Sequence, residues 1–112
     1  MPRRDILVAL PCRLSPGMFS GERIIEVKLA NGDTYTGLAP RHFCWNASGR
    51  LVSESEPTTE VDGMVAARRI EDLDEDQVAV EIPDGAVIAV DENHVQSRPT
   101  PIIPPSPASS AT

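Results

Sequence analysis

The chain has 112 residues, a net charge of −7 and 40% apolar residues, with only four aromatics: Phe19, Tyr35, Phe43 and Trp45. That length suits one domain with a modest aliphatic core and is too short for two ordinary ones. The longest apolar runs, such as Ile6 to Leu10, fall far short of the roughly 20 residues of a membrane-spanning helix, and overall acidity disfavours general nucleic-acid or anionic-membrane binding, which needs concentrated positive charge.

The charge is divided along the chain. Residues 1–50 carry seven basic and four acidic side chains (+3), whereas residues 51–112 carry three basic and thirteen acidic (−10). Opposed halves of this kind could support head-to-tail association. The basic start at Met1 to Arg4 leads into an apolar segment that is short and interrupted by Asp5, which is not the form of a secretory signal. A reducing cytoplasm is therefore expected, with Cys12 and Cys44 as free, buried thiols.

Taken in chain order, Asp5 to Leu10 is a compact β-favouring run that Pro11 closes, which predicts a first strand at a sheet edge. Ser15-Pro16-Gly17 marks a turn. In Ile24 to Ala30, Ile25, Val27 and Leu29 alternate with Glu26 and Lys28, the period of a strand with one buried face. Asn31-Gly32 follows, and both residues accept the positive φ of a tight hairpin turn, so a return strand through Tyr35 is expected. Ser53 to Glu60 reads as an exposed acidic connector, Met64 to Ile70 as a strand, and Glu71 to Asp76 as an acidic loop. Val78, Val80 and Ile82 then alternate again before Pro83-Asp84-Gly85, and Ala86 to Val90 returns.

The segments Arg23 to Phe43 and Gln77 to Val95 thus share a pattern of strand, glycine turn, strand and polar corner. Aligning Gly32 with Gly85 and allowing one extra residue at Asp33 places Leu38 on Val90, His42 on His94 and Phe43 on Val95. The sequence predicts an all-β fold: one domain over residues 1–96, a small antiparallel barrel or sandwich built from two related hairpin units at about 5–52 and 61–96. Residues 97–112 read as a Pro/Ser/Ala-rich flexible tail. Short strands with polar corners and a short terminal strand resemble SH3-like barrels in general style, with no motif diagnostic of one family, so the resemblance implies an architecture and no function.

His42-Phe43-Cys44-Trp45 is the densest chemical cluster. On a strand, His42 and Cys44 would share one face and Phe43 and Trp45 the other. With Cys12 and His94 these residues make up the set needed for a tetrahedral zinc site, but no C-x2-C pair supports one. Cys44 and His42 lack a third group to make a nucleophile and base. Asp72, Asp74 and Asp76 open like a calcium loop that then fails, with Gln77 where Gly is needed and Pro83 where Glu is needed. Arg98, Pro101 and Pro104 fit R-x-x-P-x-x-P, Ile102-Ile103 could anchor to a neighbouring subunit, and Asn46-Ala47-Ser48 is a glycosylation sequon that matters only in a secreted chain.

No complete catalytic set and no cofactor signature emerge. The leading expectation is a non-enzymatic module that binds a protein partner or itself, through Tyr35, Arg41, Phe43 and Trp45, with Trp45 partly exposed. Two alternatives are a nucleic-acid- or ribosome-associated barrel using Arg13, Arg23, Lys28, Arg41 and Arg50, and a small metal- or thiol-dependent enzyme.

Overall fold

The computed structural model describes residues 6–99; the tail expected beyond that point lies outside the described residues. The strands are β1 (Leu7–Pro16), β2 (Glu22–Lys28), β3 (Thr34–Pro40), β4 (Cys44–Asn46), β5 (Val61–Leu73), β6 (Gln77–Glu81), β7 (Val87–Asp91) and β8 (Gln96–Ser97). Short 3-10 turns, Arg41–Phe43 and Glu92–His94, precede β4 and β8. All pairings are antiparallel, in the order β3-β2-β1-β5-β6-β7, with β4 added to β5 and β8 to β1. The result is an all-β sheet curled into a half-barrel.

The two long strands explain the curl. β1 pairs with β5 along Leu7 to Leu14, while its other edge is taken by β8 at Val8 and Ala9 and by β2 from Arg13 onward. β5 likewise gives its second edge to β4 at Gly63 to Val65 and to β6 from Arg68. Each long strand changes neighbour partway along, so it must bend between two sheet planes. Pro11 falls between the stretches held by β8 and β2, and β1 runs on through it to Pro16 rather than closing there. An edge without a neighbour tolerates a residue that has no N–H.

Alternation sets the core. Val8, Leu10, Cys12 and Leu14 of β1 meet Ile25 and Val27 of β2, Val65 and Ala67 of β5, and Val78, Val80, Ile88 and Val90 of the β6–β7 hairpin. A smaller cluster on the opposite face joins Ala9, Ala66 and Trp45, with Met64 packed against it. Gly63 lies where a Cβ would collide with the Leu14 side chain and the Trp45 carbonyl, so the crossing of β1, β4 and β5 requires glycine.

The hairpin turns differ from the two-residue form expected at Asn31-Gly32. Gly32 N donates to Leu29 O (3.0 Å) and Leu29 N to Asp33 O (2.7 Å), and only the glycine has positive φ, at 96°. This is a three-residue loop, a turn followed by a left-handed bulge glycine. The second turn matches it: Gly85 N donates to Ile82 O (2.9 Å), Ile82 N to Ala86 O (3.0 Å), and Gly85 has φ 95°. Val27 pairs with Tyr35 and Val80 with Ile88. The hairpins therefore align with a constant offset from Gly32/Gly85 into the return strands, and the extra residue placed at Asp33 is not needed there. Arg41–Phe43 corresponds by position to Glu92–His94, so His42 does not fall on His94.

β5 also runs further than its apolar segment. It continues through Glu71 and Asp72 to Leu73, with a bulge between Arg69 and Glu71, because β6 pairs with it that far. The acidic loop shrinks to Asp74 to Asp76.

Candidate functional site

Arg23 is the one buried charged or polar side chain of the described residues, 3% exposed. It continues the inward face of β2, two residues before Ile25 and four before Val27. Its Nε donates to Glu56 O (2.6 Å), its Nη1 to Ser20 O (2.8 Å) and Glu22 O (2.7 Å), and its Nη2 to Ser53 O (3.1 Å) and Glu54 O (3.0 Å). Five carbonyl contacts satisfy the guanidinium, as a buried charge requires. Arg23 is a fastening for two loops and not part of a surface. The alternation that revealed the strand could have revealed this too, since position 23 falls on the apolar side.

The four aromatic-cluster residues do not form one surface. Trp45 is buried, 9% exposed, beneath the sheet crossing and not at the rim. Its Cβ and its neighbour's point to opposite faces of β4, and with Cys44 at 0% in the main core, Trp45 must fill the second cluster. Tyr35 is half-buried on β3, where its hydroxyl donates to Asp84 Oδ2 (2.7 Å) across the two hairpins, an interaction that raises its pKa. Arg41 donates Nη1 to Val52 O (3.2 Å).

Of the four, Phe43 is the most open, since Tyr35 and Arg41 are half-buried and Trp45 is buried. It is 37% exposed, contacts His42 with ring centroids 4.6 Å apart, and lines an open groove of about 430 Å³. Ala66, Ala67 and Ile82 contribute apolar wall, Leu7 stands exposed at one side, and Arg68 and Arg98 supply charge. The groove forms where β5 passes from β4 to β6, so neither strand covers Ala66 and Ala67. Arg68 pairs with Glu81 at 3.6 Å. Arg98 folds back to donate Nε to Val8 O (3.0 Å) and Nη2 to Ala67 O (3.1 Å), and burial lowers its pKa. The guanidinium of the R-x-x-P-x-x-P pattern is thus engaged by the domain itself; Pro101 and Pro104 lie outside the described residues, as do Ile102 and Ile103.

A second groove of about 460 Å³ sits at the matching gap on β1, beside Pro11 and Cys12, with His94 on its wall. Cys12, His42, Cys44 and His94 do not converge: both thiols are buried and free, His42 is exposed on its 3-10 turn, and no three such groups among the described residues are placed to hold a metal. His42 and Cys44 do not share a strand face, because β4 begins only at Cys44. Burial pushes the Cys44 thiol up to about 11, against a lowering pull from Arg23, and burial with Cys44 and Asp62 nearby raises Cys12 as well. Neutral thiols of this kind are poor nucleophiles and ligands.

The basic residues of the first half are dispersed in use. Arg13 pairs with Glu60 and Asp62, each at 3.5 Å, and Arg23 is buried. Asn46 of the sequon caps its own turn, its Oδ1 accepting from Ser48 N (3.0 Å), Ser48 Oγ (2.7 Å) and Arg50 N (3.1 Å). Leu7, Ala66 and Arg68 were not signalled by any local pattern, since only the pairing of distant strands assembles them; Arg98 was signalled, but as part of a proline-rich ligand pattern and not as a groove residue. Comparison of the chain with protein-family models, curated proteins and solved structures found no match.

Proposed function

We propose that the chain is a non-enzymatic interaction or assembly module, a small SH3-like barrel of two related hairpin units, whose binding site is the groove beside Phe43. The carrying observation is an exposed aromatic beside the stretch of β5 that pairs with neither β4 nor β6, with an apolar wall and arginines at the side. Aromatic and arginine side chains together are the composition of interface anchors. Matching hydrogen bonds in the turns at Gly32 and Gly85 support the kinship of the two units. The two buried, unpaired thiols suit a reducing cytoplasm.

A photo-crosslinking phenylalanine analogue at position 43, compared with one at Val87 (59% exposed), tests the site. The expected result is one discrete protein adduct from position 43 and none from 87. Equal yields from both positions, or no adduct from 43, would remove the groove as the binding site.

A further inference from the structure

The described chain ends at the groove beside Phe43. Arg98, the last described residue but one, lines that groove, and its guanidinium is held there by Nε on Val8 O (3.0 Å) and Nη2 on Ala67 O (3.1 Å). Val8 and Ala67 face each other across the β1–β5 pairing, so the exit of the chain is fixed to the two longest strands. Pro99 then lies beside the turn after β4, where a Cβ on Gly49 would stand 3.7 Å from its own. Residues 100–112 follow from this point.

The charged groups around the groove already have partners. Arg68 pairs with Glu81 at 3.6 Å, Arg98 is engaged by carbonyls, and the Asp84 carboxylate, between Pro83 and Gly85, accepts from Ala86 N and from the Tyr35 hydroxyl. What is left without a partner is apolar surface, with Leu7 54% and Phe43 37% exposed. Residues 100–112 have the matching composition: no charged side chain, and a single pair of large aliphatics, Ile102-Ile103. Met1 to Asp5, which lead into groove-lining Leu7, do not match, since Arg3, Arg4 and Asp5 are charged. Ile102 is three residues past Pro99, a reach of about 9 Å in the extended form that prolines favour, and the groove's volume of about 430 Å³ admits more than one aliphatic side chain. Pro101, Pro104 and Pro105 have no N–H to give a ladder, so side chains and not an added strand would make the contact.

We propose that Ile102-Ile103 of the C-terminal tail seats in the Leu7–Phe43 groove of its own chain and competes there with the protein partner. The inference rests on the reading of the groove as an interaction site and adds its regulation. A tether this short gives the tail an effective concentration that is roughly millimolar, so a contact too weak to join separate molecules still closes the groove for part of the time. A groove closed about half of the time binds its partner about twofold more weakly.

Amide NMR shifts of the full chain test this, with Ile102→Ser/Ile103→Ser set against the wild type. The Phe43, Ala66 and Ala67 amides are expected to differ between the two chains, by the same amount at every protein concentration, while Val27 and Val90 stay in place and confirm folding. A synthetic peptide of residues 100–107, added in excess to the variant, should move the groove amides back toward their wild-type positions. Groove amides that ignore the substitutions overturn the proposal, as does a peptide that moves nothing, or a difference that grows with concentration and so assigns the tail to another copy. The crosslinker at position 43 separates this from the groove reading: the yield of foreign adduct should rise about twofold or more in the Ile102→Ser/Ile103→Ser background. A foreign adduct from 43 with groove amides indifferent to the tail keeps the groove and removes its regulation. Groove amides that respond to the tail, with no foreign adduct from 43 in either background, remove the partner and with it the competition.

Discussion

The hairpins β2–β3 and β6–β7 carry the same backbone bonds through their turns and different chemistry on their surfaces. In the first, Asn31 Oδ1 accepts from Asp33 N (2.9 Å) and Asn31 Nδ2 donates to Asp33 Oδ2 (3.2 Å), so the turn closes on itself. In the second, Asp84 Oδ1 accepts from Ala86 N (2.9 Å), while Oδ2 reaches across to the Tyr35 hydroxyl. Ala30 N adds a bond to Ala89 O (2.9 Å), tying one hairpin to the other. Past the hairpins the divergence grows: one 3-10 turn delivers the aromatic Phe43 to its groove, the other delivers the imidazole of His94 to a different one. Backbone geometry here depends on a few turn residues, which leaves the intervening positions free to specialise.

The largest break in the comparison is expected between β4 and β8. Trp45→Ala should cost about 3–5 kcal/mol, the usual range for emptying a buried aromatic site, whereas Ser97→Ala on exposed β8 should leave the urea midpoint unchanged. Next comes Arg23→Ala, which strips five carbonyls of their donor and should lose ~3 kcal/mol, discounted because the connector carbonyls can recover water. Faster proteolysis at the connector, Ser53 to Glu60, would accompany that loss.

Gly32→Ala and Gly85→Ala sharpen the likeness. Each forces an L side chain into the left-handed region at φ 96° or 95°, and each should cost about 1–2 kcal/mol by chemical denaturation. Equal losses are expected because the bonds around the two glycines correspond. A subtler signal is alkaline destabilisation. The Cys44 pKa is about 11 in the fold against an ordinary 9.0, so the unfolded chain releases its proton first and stability falls as pH rises from 9 towards 11. Below 9 the contribution is fully present. Unfolding midpoints measured across that range should decline, and less steeply in Cys44→Ala.

The strands around Ile25, Val27, Val78 and Val80 were legible because alternation is a local property, and the turn glycines because positive φ is demanded by the chain's own geometry. The all-β class followed from these. Trp45 misled because its sequence neighbours, Asn46 to Gly49, are polar, while its burial comes from Ala9 and Ala66 on strands far away in sequence. The extension of β5 through Glu71 and Asp72 was hidden for a similar reason: acidic side chains signal a loop, yet the pairing partner β6 decides where a strand stops. Phe43 stood out in the sequence as one of four aromatics, but the groove beside it needs contributions from β1, β5, β6 and the segment after β8.

The carbonyl cage around Arg23 also bears on behaviour in acid. Surface pairs such as Arg13 with Glu60 and Asp62 depend on a charged carboxylate. Carbonyl oxygens do not titrate, and a guanidinium keeps its charge throughout the accessible range. The joint between the Met18–Phe19 turn and the Ser53–Glu56 segment should therefore be acid-fast, still closed at a pH where the ion pairs on the outside of the sheet have already come apart.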